Sequence, residues 1–422
     1  MRVVFIADVR STIARGWISY FVGRGHDVHA ISSYPCSPDI VPGAKIYQLP
    51  IAFSRLAETG RVTARPAGNS QSALSAAIAA LRSGRLSNLS TSARCWLAPL
   101  ELRLHVRRAR ELILQLSPDL VHAMRIPFEG MLAASATPGD IPLLTSVWGN
   151  DLTLFANRYQ LIARETRRAL QRTNALHCDC LRDLELASRT WGFDASKPAL
   201  VSPSAGGIQP SIFYPAEPGS SLRRELNVTD DAPVVFNPRG FRGYVRNDVF
   251  FEAIPLMLRQ HPTAVFVCAG MQSNPIADKW VRTFAIQESV RLLPPVSRER
   301  MADLFRLASV AISPSLHDGT PNTLLEAMAC GCFPVAGDIE SVHEWITDGD
   351  NGLLCDPTSP ESLAGAIVRA LDNEQMRNEA REQNLRLIAD RAVYNNVMQQ
   401  AEAFYSEIIQ RKPVAQTGGF AR

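Results

Sequence analysis

Short runs of β-branched and apolar residues alternate with stretches of helical length along almost the whole chain. That alternation restricts the fold more than any other feature, because strand-helix-strand repeats build βαβ units and parallel sheets. The fold class is therefore α/β. A first set of strands is predicted at Val3–Ala7, Asp27–Ser32, Leu120–Ala123, Leu143–Trp148, Ala175–Cys178 and Leu200–Ser202, with a helix near Thr12–Arg24. The pattern restarts at Val234–Asn237, Ala264–Cys268, Val290–Leu293, Val310–Ser313 and Phe333–Ala336. Two sets predict two Rossmann-like domains, in keeping with 422 residues at ~150 per domain.

The expected division is 1–203 and 204–389. Pro203 to Pro218, with four Pro and two Gly, serves as the connection, since these residues punctuate regular structure. Val393, Val397, Ala401, Phe404 and Ile408 recur at helical spacing and mark a C-terminal helix over 390–411. A helix is expected around Ala73–Arg82 and a disordered tail from Pro413.

The start of the chain lacks the basic and apolar regions of a signal peptide, and no run reaches the ~18 apolar residues of a membrane span. Eight cysteines in 422 residues are too sparse for a disulfide scaffold, so the cytoplasm is the expected compartment. Charge is unevenly spread. Residues 1–200 hold 24 Lys and Arg against 15 Asp and Glu, whereas 201–422 hold 20 against 26. A basic first half suits phosphorylated ligands or an anionic membrane surface. Nucleic acid is not expected, because no zinc-finger spacing or aromatic-interleaved basic motif is present. Arg103, Arg107 and Arg110 share a helical face beside Leu97, Leu100, Leu104, Leu112 and Leu116. Two readings stand: a solvated face, or peripheral attachment to the inner membrane face.

The chemistry concentrates in Ser313 to Pro334, where a strand end leads through Gly319-Thr320-Pro321 into a helix that stops at Gly331. Thr320 is placed to cap, Pro321 to occupy the first helical position and Gly331 to end the helix. The helix start, with Asn322 and Thr323, offers unpaired N–H groups and the positive dipole end, an anion site suited to a diphosphate. Asp318 and Glu326 bracket the turn with seven residues between them, and carboxylates there accept hydrogen bonds from sugar or ribose hydroxyls. Asp348-Gly349-Asp350 reads as a turn feeding a strand. Cys178 with Cys180, and Cys330 with Cys332, read as buried thiols because their spacing does not suit zinc.

The segment DGTPNTLLEAMACGCFPV resembles the acid, seven residues, Glu signature of family-4 retaining glycosyltransferases, with Asp318 where the family more often has Glu. GGIQPSIFYP, FNPRGFRGYVRND, SPDLVHAM and TSVWGNDLT resemble further family segments in the same order. The opening, ADVRSTIARGWISYFVGRGH, is similar too, although Ile13 stands where similar openings often carry His. The resemblance implies a GT-B fold, in which two Rossmann-like domains face a cleft and the C-terminal helix crosses back. It implies that Arg239, with Arg242 or Arg246, binds the donor diphosphate together with residues Gly319 to Thr323. Glu326 would hold the ribose, and Asp318 would meet the sugar. Asp151 and His122 would face the acceptor as further catalytic candidates, beside Trp148 and Gly149.

The expected activity is transfer of a sugar from a nucleoside diphosphate donor to an acceptor hydroxyl, with no cofactor and no metal. The acceptor is a sugar or a lipid-linked molecule, as in polysaccharide or glycolipid assembly. A sugar-nucleotide epimerase and a noncatalytic nucleotide-sugar-binding scaffold are the alternatives. A nicotinamide dehydrogenase is disfavoured because the first strand lacks a G-x-G-x-x-G turn.

Overall fold

The computed structural model describes residues 1–54, 85–217 and 219–411, with the side chains of 85–95 and 220 set aside. The expected helix at 73–82 and the tail from Pro413 lie outside the described residues. The chain forms two compact units. One comprises Met1–Cys178, Asp183–Val201 and Gln400–Arg422; the other comprises Asp179–Arg182 and Ser202–Gln399.

The first unit is built on a seven-stranded sheet of β1 (Arg2–Ala7), β2 (Asp27–Ser32), β3 (Lys45–Gln48), β4 (Leu120–Ala123), β5 (Leu143–Val147), β6 (Ala175–Cys178) and β7 (Ala199–Val201). Its order is β3-β2-β1-β4-β5-β6-β7, and every pairing is parallel. Unbroken apolar runs such as Val3 to Ala7 suit strands covered on both faces, and those five residues are fully buried. The edge strand β3 escaped the sequence reading because Lys45, Ile46, Tyr47 and Gln48 carry no buried apolar pattern.

The second unit holds β8 (Val234–Asn237), β9 (Val265–Cys268), β10 (Val290–Leu292), β11 (Val310–Ser313), β12 (Phe333–Gly337) and β13 (Leu353–Cys355), in the order β10-β9-β8-β11-β12-β13. Strand periodicity sends alternate residues to opposite faces. Val234 and Phe236 enter one core with Val267 and Ala336, while Val235 enters the other with Phe266, Ile312 and Val335. The two-sheet α/β expectation is therefore met. Gly207 (φ +90°) earns its place in the segment at 206–215: a Cβ there would lie 2.4 Å from the Ala392 carbonyl oxygen.

The last helix, Tyr394–Gln410, gives its second half to the first unit. Tyr405 is fully buried, with its ring 4.5 Å from that of Phe21, centroid to centroid. Its hydroxyl bonds to His122 Nδ1. His122 Nε2 lies 2.8 Å from Ser146 Oγ, and Ser146 Oγ lies 2.9 Å from His177 Nδ1, so a buried polar chain runs across β4, β5 and β6. Glu402 adds an outer clasp, accepting from Tyr20 and Arg24 at 3.0 Å and lying 2.8 Å from His26 Nε2.

Burial, reinforced by His177, holds the His122 imidazole well below its ordinary pKa. The folded protein therefore keeps His122 neutral while the unfolded chain protonates near pH 6.5, and stability from this group is lost as pH falls through that value. Tyr405→Phe leaves Nδ1 without its partner and is expected to cost about 1–3 kcal/mol at pH 7.5. Thermal melts from pH 7.5 to 5.5 check both effects: the wild type loses stability on acidification more steeply than His122→Gln, and a pH-independent difference refutes the neutral, buried imidazole.

Candidate functional site

In the second unit the strand order reverses between β8 and β11, the point at which open parallel sheets receive ligands beyond their C-terminal edge. β8 ends at Asn237, whose side chain fixes the turn that follows: Oδ1 accepts from the Arg239 amide at 3.1 Å, and Nδ2 donates to Asn247 Oδ1 at 2.9 Å. The 239–246 loop is tied to the end of β11. Arg246 N donates to Pro314 O and Leu316 N to Tyr244 O, both at 2.9 Å, and Val245 bridges Ser315.

This scaffold brings Arg239 and Asp318 together as an ion pair, with side chains only 10% and 13% exposed. Burial alone would lower the guanidinium pKa; Asp318, helped by Tyr244, more than offsets it and holds the group above its ordinary value. Arg239 also reaches Ser315 Oγ at 3.4 Å and Tyr244 Oη at 3.5 Å. Arg242, exposed, donates to the same phenol at 3.4 Å, so Tyr244 bridges two arginines. Arg246 is directed elsewhere. Its guanidinium pairs with Asp248 at 2.8 Å, and its backbone leads into the helix Asn247–Leu258, so it is Arg242 that Tyr244 joins to Arg239.

The turn beyond Asp318 forms the helix Asn322–Ala329, but its N-cap is Pro321 and no side chain caps it. The expected cap, Thr320, is buried and occupied: its hydroxyl donates to the Asp179 carbonyl and accepts from Trp345 Nε1 at 3.1 Å. Gly319 is required by crowding, since a Cβ would fall 2.3 Å from the Asp179 carboxylate oxygens. Thr323 Oγ1, in the first turn, is buried with no hydrogen-bond partner. Gly331 (φ +77°) follows the last residues of the helix, as expected.

Glu326 lies on the same helix with its side chain 16% exposed. Burial pushes its carboxyl up to about 7, against a modest opposing pull from Arg298, whose Nη2 is 3.8 Å away. Arg298 also donates to Gln209 Oε1 at 3.1 Å and lies over the Phe213 ring, linking the 206–215 segment to Glu326. Sequence reading missed Tyr244 and Arg298. Tyr244 was detectable from its place between two arginines; Arg298 had no motif around it.

The first unit arranges its candidates differently. Asp151 is fully buried, accepting from Arg125 Nε at 2.8 Å and from the Trp148 and Ile126 amides at 3.1 and 3.4 Å. Burial raises its pKa although Arg125 opposes the shift. His122 has no exposed surface and both ring nitrogens are bonded, so the structure places it in the core and not at the sheet edge. Trp148 Nε1 and Asn150 Oδ1, beyond the end of β5, are buried without partners. Arg125 (φ +148°) and Phe128 (φ +73°) strain the turn after β4, which also carries Glu129, buried 2.5 Å from Ser33 Oγ with its carboxyl pushed up to about 7 by burial. Cys178, Cys180, Cys330 and Cys332 are buried and form no disulfide, and Asp348 accepts from Leu354 N at 2.8 Å in the turn before β13.

The raised Glu326 pKa gives a signed prediction for the ligand-free protein. Ionised Glu326 costs stability fully above pH 7, and the cost disappears as the carboxyl protonates toward pH 4.5. Glu326→Gln should therefore melt higher than the wild type at pH 8, by up to about 3 kcal/mol, and approach it at pH 5. Equal melting at both values refutes the buried carboxyl.

Residues 220–386 match the model of the family "Glycosyl transferases group 1", and residues 69–180 match "Glycosyl transferase 4-like". A D-inositol 3-phosphate glycosyltransferase of Acidothermus cellulolyticus is 28% identical over 192 residues, covering 43% of this chain and 42% of the relative. One from Xylanimonas cellulosilytica is 27% identical over 271 residues, covering 61% and 59%. The chain thus spans about half the length of the curated relatives it matches. Among solved structures, sucrose-phosphate synthase of Thermosynechococcus elongatus superposes with a TM-score of 0.72 at 15% identity, over 97% of this chain and 100% of the other. Anabaena HepE in complex with UDP-glucose gives 0.68 at 15% identity over 96% and 100%. The two parallel sheets and both family matches converge: residues 220–386 belong to the group 1 glycosyltransferases and residues 69–180 to the 4-like glycosyltransferases, on a GT-B fold.

Proposed function

We propose that the chain transfers a sugar from a nucleoside diphosphate donor to an acceptor hydroxyl with retention of configuration, and without metal or cofactor. The observation that carries this reading is the cluster of Arg239, Tyr244, Arg242 and Asp318 at the switch point, beside an uncapped helix start with an unpartnered Thr323 hydroxyl. Support also comes from relatives described as glycosyltransferases and from a neighbouring fold solved with UDP-glucose.

As the bond between sugar and diphosphate loosens, negative charge grows on the leaving group. Two guanidinium groups and the N–H groups at residues 322 and 323 stabilise that charge most where it is greatest, which lowers the barrier. Asp318 faces the transferred sugar, and Glu326 holds the ribose diol. A carboxyl with a pKa of about 7 both donates and accepts when neutral. In the first unit, Asp151 orients Arg125, and His122 anchors Tyr405 instead of touching the acceptor. Arg125 and Trp148 are the proposed acceptor contacts. The acceptor is a sugar or lipid-linked molecule in polysaccharide or glycolipid assembly, and the reaction is placed in the cytoplasm.

A thermal-shift panel of nucleoside mono- and diphosphates and their sugars tests the donor site. A diphosphate at about 100 times its Kd adds about 2.7 kcal/mol of stability by linkage. The wild type should respond to at least one diphosphate and less to its monophosphate. Arg239→Ala should lose most of the shift, and Glu326→Ala should reduce it. An undiminished response in Arg239→Ala contradicts the assignment.

A further inference from the structure

The helix Arg85–Leu116 carries an exposed apolar row that the donor chemistry does not use. Ala98, Leu102, Ala109, Leu112, Ile113 and Leu116 are buried and form the face turned to the core. On the opposite side Trp96, Leu97, Leu100 and Leu104 are 46, 53, 48 and 80% exposed. At 100° per residue these four fall within one 100° sector, so they form a continuous stripe. Single exposed leucines are ordinary; four adjacent large apolar residues including a Trp are not.

The charge beside the stripe has one sign. Arg103, Arg107, Arg108 and Arg110 are exposed on the same side, and Glu111 is the exposed acid among them, held by Arg107 at 3.1 Å and Arg108 at 3.6 Å. Arg103 and Arg110 have no carboxylate partner among the described residues. Trp96 meets the Tyr159 ring edge-on at 6.1 Å, which joins the stripe to exposed Arg158 and to the helix Gln160–Arg172 with exposed Arg164. Among the described residues no helix is long and apolar enough to cross a membrane.

The geometry points to this face as the docking surface for an anionic lipid bilayer, with Trp96, Leu97, Leu100 and Leu104 entering the headgroup and acyl boundary and the arginines meeting lipid phosphates. Arginine stems extend along apolar surface while their heads stay wet, which suits a helix lying in the interface plane. Trp at a membrane boundary serves the same end. Charge complementarity selects anionic lipid over a neutral partner. No residue of the donor site takes part, so this inference and the donor reading fail separately.

Co-sedimentation of the full chain with vesicles of equal parts phosphatidylglycerol and phosphatidylcholine tests it, against phosphatidylcholine alone. Binding should occur on the anionic vesicles, weaken at least about tenfold on neutral ones, and fall in about 1 M salt, where the screening length shrinks to about 3 Å. Leu100→Ser combined with Leu104→Ser should cost at least about tenfold, and Arg103→Glu with Arg107→Glu should abolish the lipid-charge preference. The melting temperature and the diphosphate response, measured on the same variants, should remain at wild-type values. Absence of binding, binding without regard to lipid charge, or wild-type binding by the leucine variant overturns the proposal. So does a dimer, seen by light scattering, that the leucine variant dissolves while no vesicle binding occurs.

Discussion

A guanidinium taken out of water at the end of β8 requires a compensating charge, and Asp318 supplies it. The local architecture of the second unit's sheet edge follows from that requirement. Asn237 sets the turn that aims Arg239, the 239–246 loop is fastened to β11 by backbone bonds, and Asp318 stands where the β11 loop meets the glycine turn. Gly319 can have no side chain because Asp179 occupies its Cβ position, and Thr320 is spent holding the turn. Beside them lie the uncapped helix start and exposed Arg242. Under the proposed function, a donor diphosphate would compete with the Asp318 carboxylate for Arg239.

The same physics gives opposite results in the first unit. Asp151 and His122 are fully buried; both carboxylate oxygens of the first and both ring nitrogens of the second have hydrogen-bond partners. Asp151 fixes Arg125, and His122 fastens the C-terminal segment through Tyr405. Removing one member of such a polar chain is costly, because the remaining partner is left buried and unpaired.

Much of the fold was legible because parallel strands covered on both faces are short, apolar and punctuated. β2, β4, β6, β8 and β11 fall on their expected residues, whereas the edge strand β3 has no buried pattern to reveal it. The glycine turn was legible because Gly, Thr and Pro punctuate a strand-to-helix passage, and the family resemblance singled out Arg239 and Asp318, which the structure brings together as an ion pair. Sequence order alone does not report direction. It left Arg242 and Arg246 equivalent until Asp248 was seen to bind the second, and it gave no sign of Arg298, which reaches Glu326 from a distant helix. The shift of the N-cap from Thr320 to Pro321 has a similar origin, since the competing partners, Asp179 and Trp345, are remote in sequence.

If Asp318 occupies Arg239 in place of the diphosphate, removing its charge must favour the ligand. Isothermal titration of a nucleoside diphosphate without sugar into wild type and Asp318→Asn measures this directly. Binding to the variant should be tighter by several-fold or more, since a neutral amide no longer competes for the guanidinium. Weaker binding in Asp318→Asn, with its melting temperature unchanged, would contradict an exchange of partners at Arg239.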